Sequence, residues 1–136
     1  KREYKIFAIM IVNDSEDKAF GYSYSAYRTA FTNDTDFMQW IKYSQDRSLF
    51  NIPVDINADD EIITLSTCCY DFNNARFVIL GRLVREGESA EVDVNNSSVN
   101  SDVLYPKEYY VKKKRPIPQL TSSESSTSSK ETTTSK

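Results

Sequence analysis

The chain has 136 residues, a net charge of −3 and a sequence pI near 5.0. That length fits one domain, and the acidic balance argues against nucleic acid as a partner, because phosphate binding needs a basic footprint. The sequence contains no histidine, which removes most zinc sites and every His-dependent acid–base mechanism completed within this chain.

Tyr4–Val12 is a continuous apolar, β-branched run ending at the turn cluster Asn13-Asp14-Ser15, and it predicts a strand covered on both faces. Phe20–Phe31 alternates aromatic and small polar residues through Tyr22 and Tyr24, which predicts a strand with one wet face and a break near Ala26. Asp34 or Thr35 is placed to cap a helix reaching about Ser48. Phe37, Trp40 and Ile41 then share one face, with Asp36 in the first turn and Arg47 in the last. Pro53 pushes Ile52 out of helical geometry.

After the acidic turn Asp59-Asp60-Glu61, the β-branched run Ile62–Tyr70 predicts a strand. The polar loop Asp71–Ala75 and the run Arg76–Arg85 predict a second strand, paired with the first as a hairpin. Val92 and Val94 suggest a weak strand end. Beyond Asn95 apolar density falls, although Val103–Pro106 and Tyr109–Val111 retain residues able to dock on a core. The fold class read from these elements is mainly β, with one helix before the Cys-bearing strand. The last 16 residues hold 12 serines and threonines and no apolar residue, so residues 119–136 are expected to form a disordered tail.

Charge is unevenly distributed. Residues 1–102 carry ten basic and 17 acidic side chains, whereas residues 103–120 carry five basic and one acidic. The cluster Lys112-Lys113-Lys114-Arg115 reads either as a solvated segment or as a contact for anionic membrane or wall polymer. No stretch is long and apolar enough to span a membrane.

Cys68 and Cys69 are adjacent. A bridge between neighbours would be strained, so both are read as free thiols. Cys68 ends an apolar strand just before a polar loop, and Arg76 opens the facing strand eight residues later. In a hairpin these positions share one rim. An arginine beside a thiol favours the thiolate, and its guanidinium can hydrogen-bond a developing oxyanion. The residues alone leave both readings open, since a strand cysteine also serves as core packing and a strand-start arginine as a solvated side chain.

The segment Thr64-Leu65-Ser66-Thr67-Cys68 with Arg76 at the next strand resembles the signature of sortases, the cysteine transpeptidases of Gram-positive surfaces. Tyr4–Val12, the phrase Asp46-Arg47-Ser48-Leu49-Phe50, the strand Ala75–Val84 and Leu104-Tyr105-Pro106 resemble class B in particular, over roughly residues 3–118. The resemblance implies the last four to five strands of a sortase-type β-barrel, with the helix in the long connection before the Cys-bearing strand. It implies Cys68 as nucleophile and Arg76 as oxyanion partner, with Ser66, Thr67 and Cys69 beside the substrate groove. Cys68 would attack a Thr–Gly-type carbonyl of a sorting-signal peptide on a secreted protein. An amine of peptidoglycan or pilin would then resolve the thioacyl enzyme. No cofactor and no metal is implied. The family's general-acid histidine has no counterpart here, so residues 1–118 are expected to be a C-terminal portion lacking the histidine region and the membrane anchor, inactive alone and weakly stable.

Overall fold

The computed structural model describes residues 1–120; the expected disordered tail lies, but for Gln119 and Leu120, outside the described residues. Five strands and two helices follow in the order β1 (Tyr4–Asn13), α1 (Asp34–Arg47), β2 (Phe50–Asn51), β3 (Ile62–Cys68), β4 (Ala75–Leu83), β5 (Ser98–Val99) and α2 (Lys107–Lys113). β1, β4 and β3 form an antiparallel sheet in that order, and β2 pairs with β5. The chain is mainly β, as its sequence predicts, and its described strands form a three-stranded and a two-stranded sheet.

The β-branched runs meet in the sheet for the expected reason: their side chains pack on a pleated surface. β4 is the central strand, bonded to both neighbours. Directly opposed residues share a face, so the register Ala8↔Leu80 and Met10↔Val78 puts these four fully buried side chains on one side. Trp40 and Ile41 of α1, Phe7, Val12, Val54, Tyr24 and Ala26 complete that core. The opposite face carries Ile9, Ile11, Phe77 and Ile79, all half-buried, and Leu65, which is exposed. β3 is an edge strand among the described residues, with a sequence free of charge or proline.

Gly81 sits where β4 passes between its neighbours. A Cβ there would lie 3.1 Å from Tyr4 Cβ and 3.2 Å from Ile63 Cγ2, so the strands approach as closely as they do because that side chain is absent.

The helix cap differs from expectation. Asn33, not Asp34 or Thr35, accepts the hydrogen bond from Asp36 N (2.9 Å), and both aspartates lie within the first turn instead. At the other end Ser48 turns the chain onto β1. Its buried hydroxyl accepts from Ile9 N at 3.1 Å and donates to Phe50 O at 2.7 Å, while Leu49 N donates to Ile9 O at 2.7 Å.

The expected strand over Phe20–Phe31 does not form. The segment is a loop with a single bridge between Asp17 and Tyr24, because its aromatics are recruited by Arg47. That guanidinium is almost wholly buried and lies 4.1 Å from the Tyr24 ring centre and 5.4 Å from that of Tyr22. It donates to Tyr22 Oη at 3.0 Å and Tyr43 O at 2.9 Å. Asp17 stands 3.7 Å away. Burial pushes the Asp17 carboxyl up, against the opposing pull of Ala19 N, which donates to its Oδ1 at 3.1 Å, and of Arg47.

Val92 and Val94 do not form the expected strand end but lead into a 3-10 turn at Val94–Asn96 before β5. The two later segments dock as expected, burying Leu104 and Tyr110, the latter from α2, a helix that the sequence reading does not give.

Candidate active site

The β3–β4 hairpin builds the site. Its ladder runs from Ile62↔Arg82 to Cys68↔Arg76, so the last residue of β3 and the second of β4 are direct partners. Opposed Cα atoms in such a ladder stand about 4.5–5.5 Å apart. Cys69 N donates to Ala75 O at 3.2 Å, and Ala75 N to Phe72 O at 3.2 Å, which closes the turn. Asn74 takes the left-handed conformation within it (φ 65°), a role for which asparagine is suited.

Register places Cys68, Ser66 and Thr64 on the same face as Val78 and Leu80. The core does not reach the end of β3, however, and Cys68 is exposed. Packing therefore does not account for this thiol, the first of the two roles left open by its residue type.

Cys69 is half-buried. Burial pushes its thiol up, while Asp71 acts both ways: its backbone N–H favours the thiolate and its carboxylate disfavours it. The two adjacent thiols thus have different surroundings, Cys68 exposed and Cys69 half-buried.

Arg76 is held from the other side. Its Nη2 lies 3.6 Å from Asp14 Oδ2, just past the end of β1, and Nη1 donates to Ala75 O at 3.1 Å. Because β4 lies between β1 and β3, Asp14 draws the guanidinium towards the β1 side. Its other engaged donor stays on β4, at the Ala75 carbonyl that also accepts from Cys69 N, and the pair with Asp14 is partly exposed to solvent.

Ser66 and Thr67 are exposed on opposite faces of β3. Ser66 Oγ is 2.8 Å from the hydroxyl of Tyr27, which reaches it from the loop before α1. That loop is pinned by Trp40 Nε1 donating to Ser25 O at 2.9 Å. Tyr27 was not anticipated as a neighbour of β3. Its only sequence signal is membership of the aromatic run read as a strand.

The structure thus brings together Cys68, Arg76, Ser66 and Cys69 at one hairpin end, with Thr67 on the reverse face. A cleft of about 380 Å³ flanks the turn, between Phe72 and Asn73 on one side and Lys107, Val111 and Lys112 of α2 on the other. An exposed thiol opposite an arginine can attack a carbonyl and hold the oxyanion that follows. The chain holds no histidine to protonate a leaving amine.

No family model matches the sequence. Sortase B of Staphylococcus aureus is 33% identical over 60 residues, 43% of this chain and 25% of that protein. Among solved structures, sortase B of Clostridium perfringens is similar at 31% identity with a TM-score of 0.48, over 60% of this chain and 42% of that one. The substrate complex of Staphylococcus aureus sortase B is similar at 27% identity with a TM-score of 0.44, over 59% of this chain and 34% of that one. The chain spans a quarter of the curated relative and less than half of these solved chains. By sequence, part of this chain is class B sortase-like.

Proposed function

We propose that this chain carries the nucleophile and oxyanion partner of a class B sortase-like cysteine transpeptidase. What supports the reading above all is the cross-strand pairing of exposed Cys68 with Arg76, joined to the sequence likeness to sortase B. In this reading Cys68 Sγ adds to the scissile carbonyl of a sorting-signal peptide while Arg76 stabilises the oxyanion. The amide C–N bond then breaks, and the departing amine takes a proton from an acid outside these 136 residues. An amine of peptidoglycan or pilin attacks the thioester and releases Cys68 as the thiol. Ser66 and Cys69 edge the peptide's path, whereas Thr67 lies on the reverse face of β3 and takes no part in it. The setting is the outer face of a Gram-positive membrane or its wall.

The chain alone is expected to be inactive, since it has no histidine. That same absence favours a second reading, a module that binds the sorting signal without chemistry. The two separate when these residues are joined to the histidine-bearing segment of Staphylococcus aureus sortase B. Turnover that disappears with Cys68→Ala supports the enzyme. Peptide binding without turnover supports the module, and turnover that survives Cys68→Ala overturns the assignment.

A further inference from the structure

The described cations fall into two groups that the net charge conceals. Each of the ten lysines and arginines before residue 103 has a carboxylate within 4.0 Å, from Lys1 with Glu3 to Arg85 with Asp55 and Asp60. Among the described residues, Lys107, Lys112, Lys113, Lys114 and Arg115 have none. All five are exposed on α2 or just beyond it. The single acid among them, Glu108, is turned towards the body, where it accepts from Asn13 Nδ2 at 3.4 Å.

Lys113 Nζ lies 5.7 Å from the ring centre of Tyr109, and Val111 projects between the lysines with 64% of its surface exposed. Lys114, in the left-handed conformation, caps the helix and keeps the charges within a short span. We propose that α2 with Lys114 and Arg115 is a docking surface for the anionic headgroups of a phospholipid bilayer.

Charge complementarity is the first argument. Unpaired cations supply attraction that does not require breaking an ion pair, and each basic side chain near an anionic bilayer strengthens binding. The acidic remainder, seven negative charges in excess over residues 1–102, is repelled by the same surface and orients the chain with α2 towards it. The second argument is apolar. Exposed Val111 and the Tyr109 ring among lysines suit an interface in which headgroups meet acyl chains, and a soluble polyanion offers them no apolar phase.

The test is co-sedimentation of the full 136-residue chain with vesicles. Binding is expected to mixed phosphatidylglycerol–phosphatidylcholine vesicles, to fall steeply with salt, and to be absent with phosphatidylcholine alone. Each neutralised lysine is expected to weaken partitioning about fivefold. Lys112→Gln/Lys113→Gln/Lys114→Gln therefore loses roughly a hundredfold, whereas Lys42→Gln, which removes a cation paired with Asp46, changes little. Lys107→Gln provides an independent single-site loss, and Val111→Ser weakens vesicle binding at unchanged charge.

Equal binding to neutral vesicles, no loss in the triple variant, or a Val111→Ser variant that binds as tightly as the parent would overturn the proposal. So would binding to soluble polyphosphate without binding to vesicles. None of these readouts depends on Cys68, so failure here is distinct from failure of the transpeptidase reading.

Discussion

Cys68 and Arg76 are partners on the final rung of the β3–β4 ladder, yet the Arg76 guanidinium is engaged by Asp14 on the β1 side. The thiol is thus left open to solvent while its partner is held ready at partial exposure. An ion pair this exposed is worth about 0–1 kcal/mol, so an incoming oxyanion can compete for the same guanidinium at small cost.

The two thiols should separate in a simple alkylation. Cys68 is exposed, whereas Cys69 is half-buried and burial pushes its thiol up. With iodoacetamide near neutral pH, peptide mapping is expected to find the label on Cys68 first. Cys68→Ser should remove most of the fast reaction, and Cys69→Ser should leave it. Equal rates at both positions would contradict the assigned environments.

Ser48 holds the exit of α1 to β1. Ser48→Ala leaves Ile9 N without its acceptor in a buried setting, and the expected loss is about 1–3 kcal/mol of unfolding free energy. Urea denaturation followed by circular dichroism measures it. A loss below a few tenths would mean that water replaces the hydroxyl.

At Gly81 a methyl group meets Tyr4 Cβ and Ile63 Cγ2 inside ordinary contact distance. Overpacking costs about 1–3 kcal/mol, against a gain of about 0.5–1 kcal/mol from replacing a strand glycine. Gly81→Ala is therefore expected to lower the urea midpoint modestly, and Gly81→Val to lower it further.

The α1 helix and the hairpin were readable because their signals are local. Trp40 and Ile41 recur on one helix face, and the β-branched run Ile62–Cys68 is followed by a short polar turn. The loop before α1 was not readable. Tyr22 and Tyr24 alternate as in a strand, but Arg47, more than twenty residues away, draws both towards itself. The same distance in sequence hides the Tyr27–Ser66 contact. The α2 helix was missed because its seven residues have no long apolar period, and what ties it down, buried Tyr110 and the Glu108 contact with Asn13, leaves no periodic signal. At the site, the hairpin reading already sets Cys68 and Arg76 on one rim, and the register makes them direct cross-strand partners.

Glu88 should dominate part of the acid response. A hydrogen bond from Arg85 N, with others from Arg82 and Lys5, lowers its carboxyl from an ordinary 4.5 to about 2. A depressed folded-state value means stability that is present above pH 4.5 and is lost as the pH falls towards 2. Melting temperature against pH should therefore show the parent above Glu88→Gln at neutral pH, with the gap closing between those two values. A gap that is constant with pH would contradict the proposed cause.

The central claim concerns the chemistry of Cys68. The most direct measurement treats the chain with a panel of sorting-signal peptides carrying a chloromethyl ketone in place of the scissile bond, followed by mass mapping of the adduct. The account expects one adduct, on Cys68, that unmodified peptide suppresses by competition and Arg76→Ala slows about tenfold or more. Labelling that falls equally on Cys69, or that ignores both the competing peptide and Arg76, would contradict it.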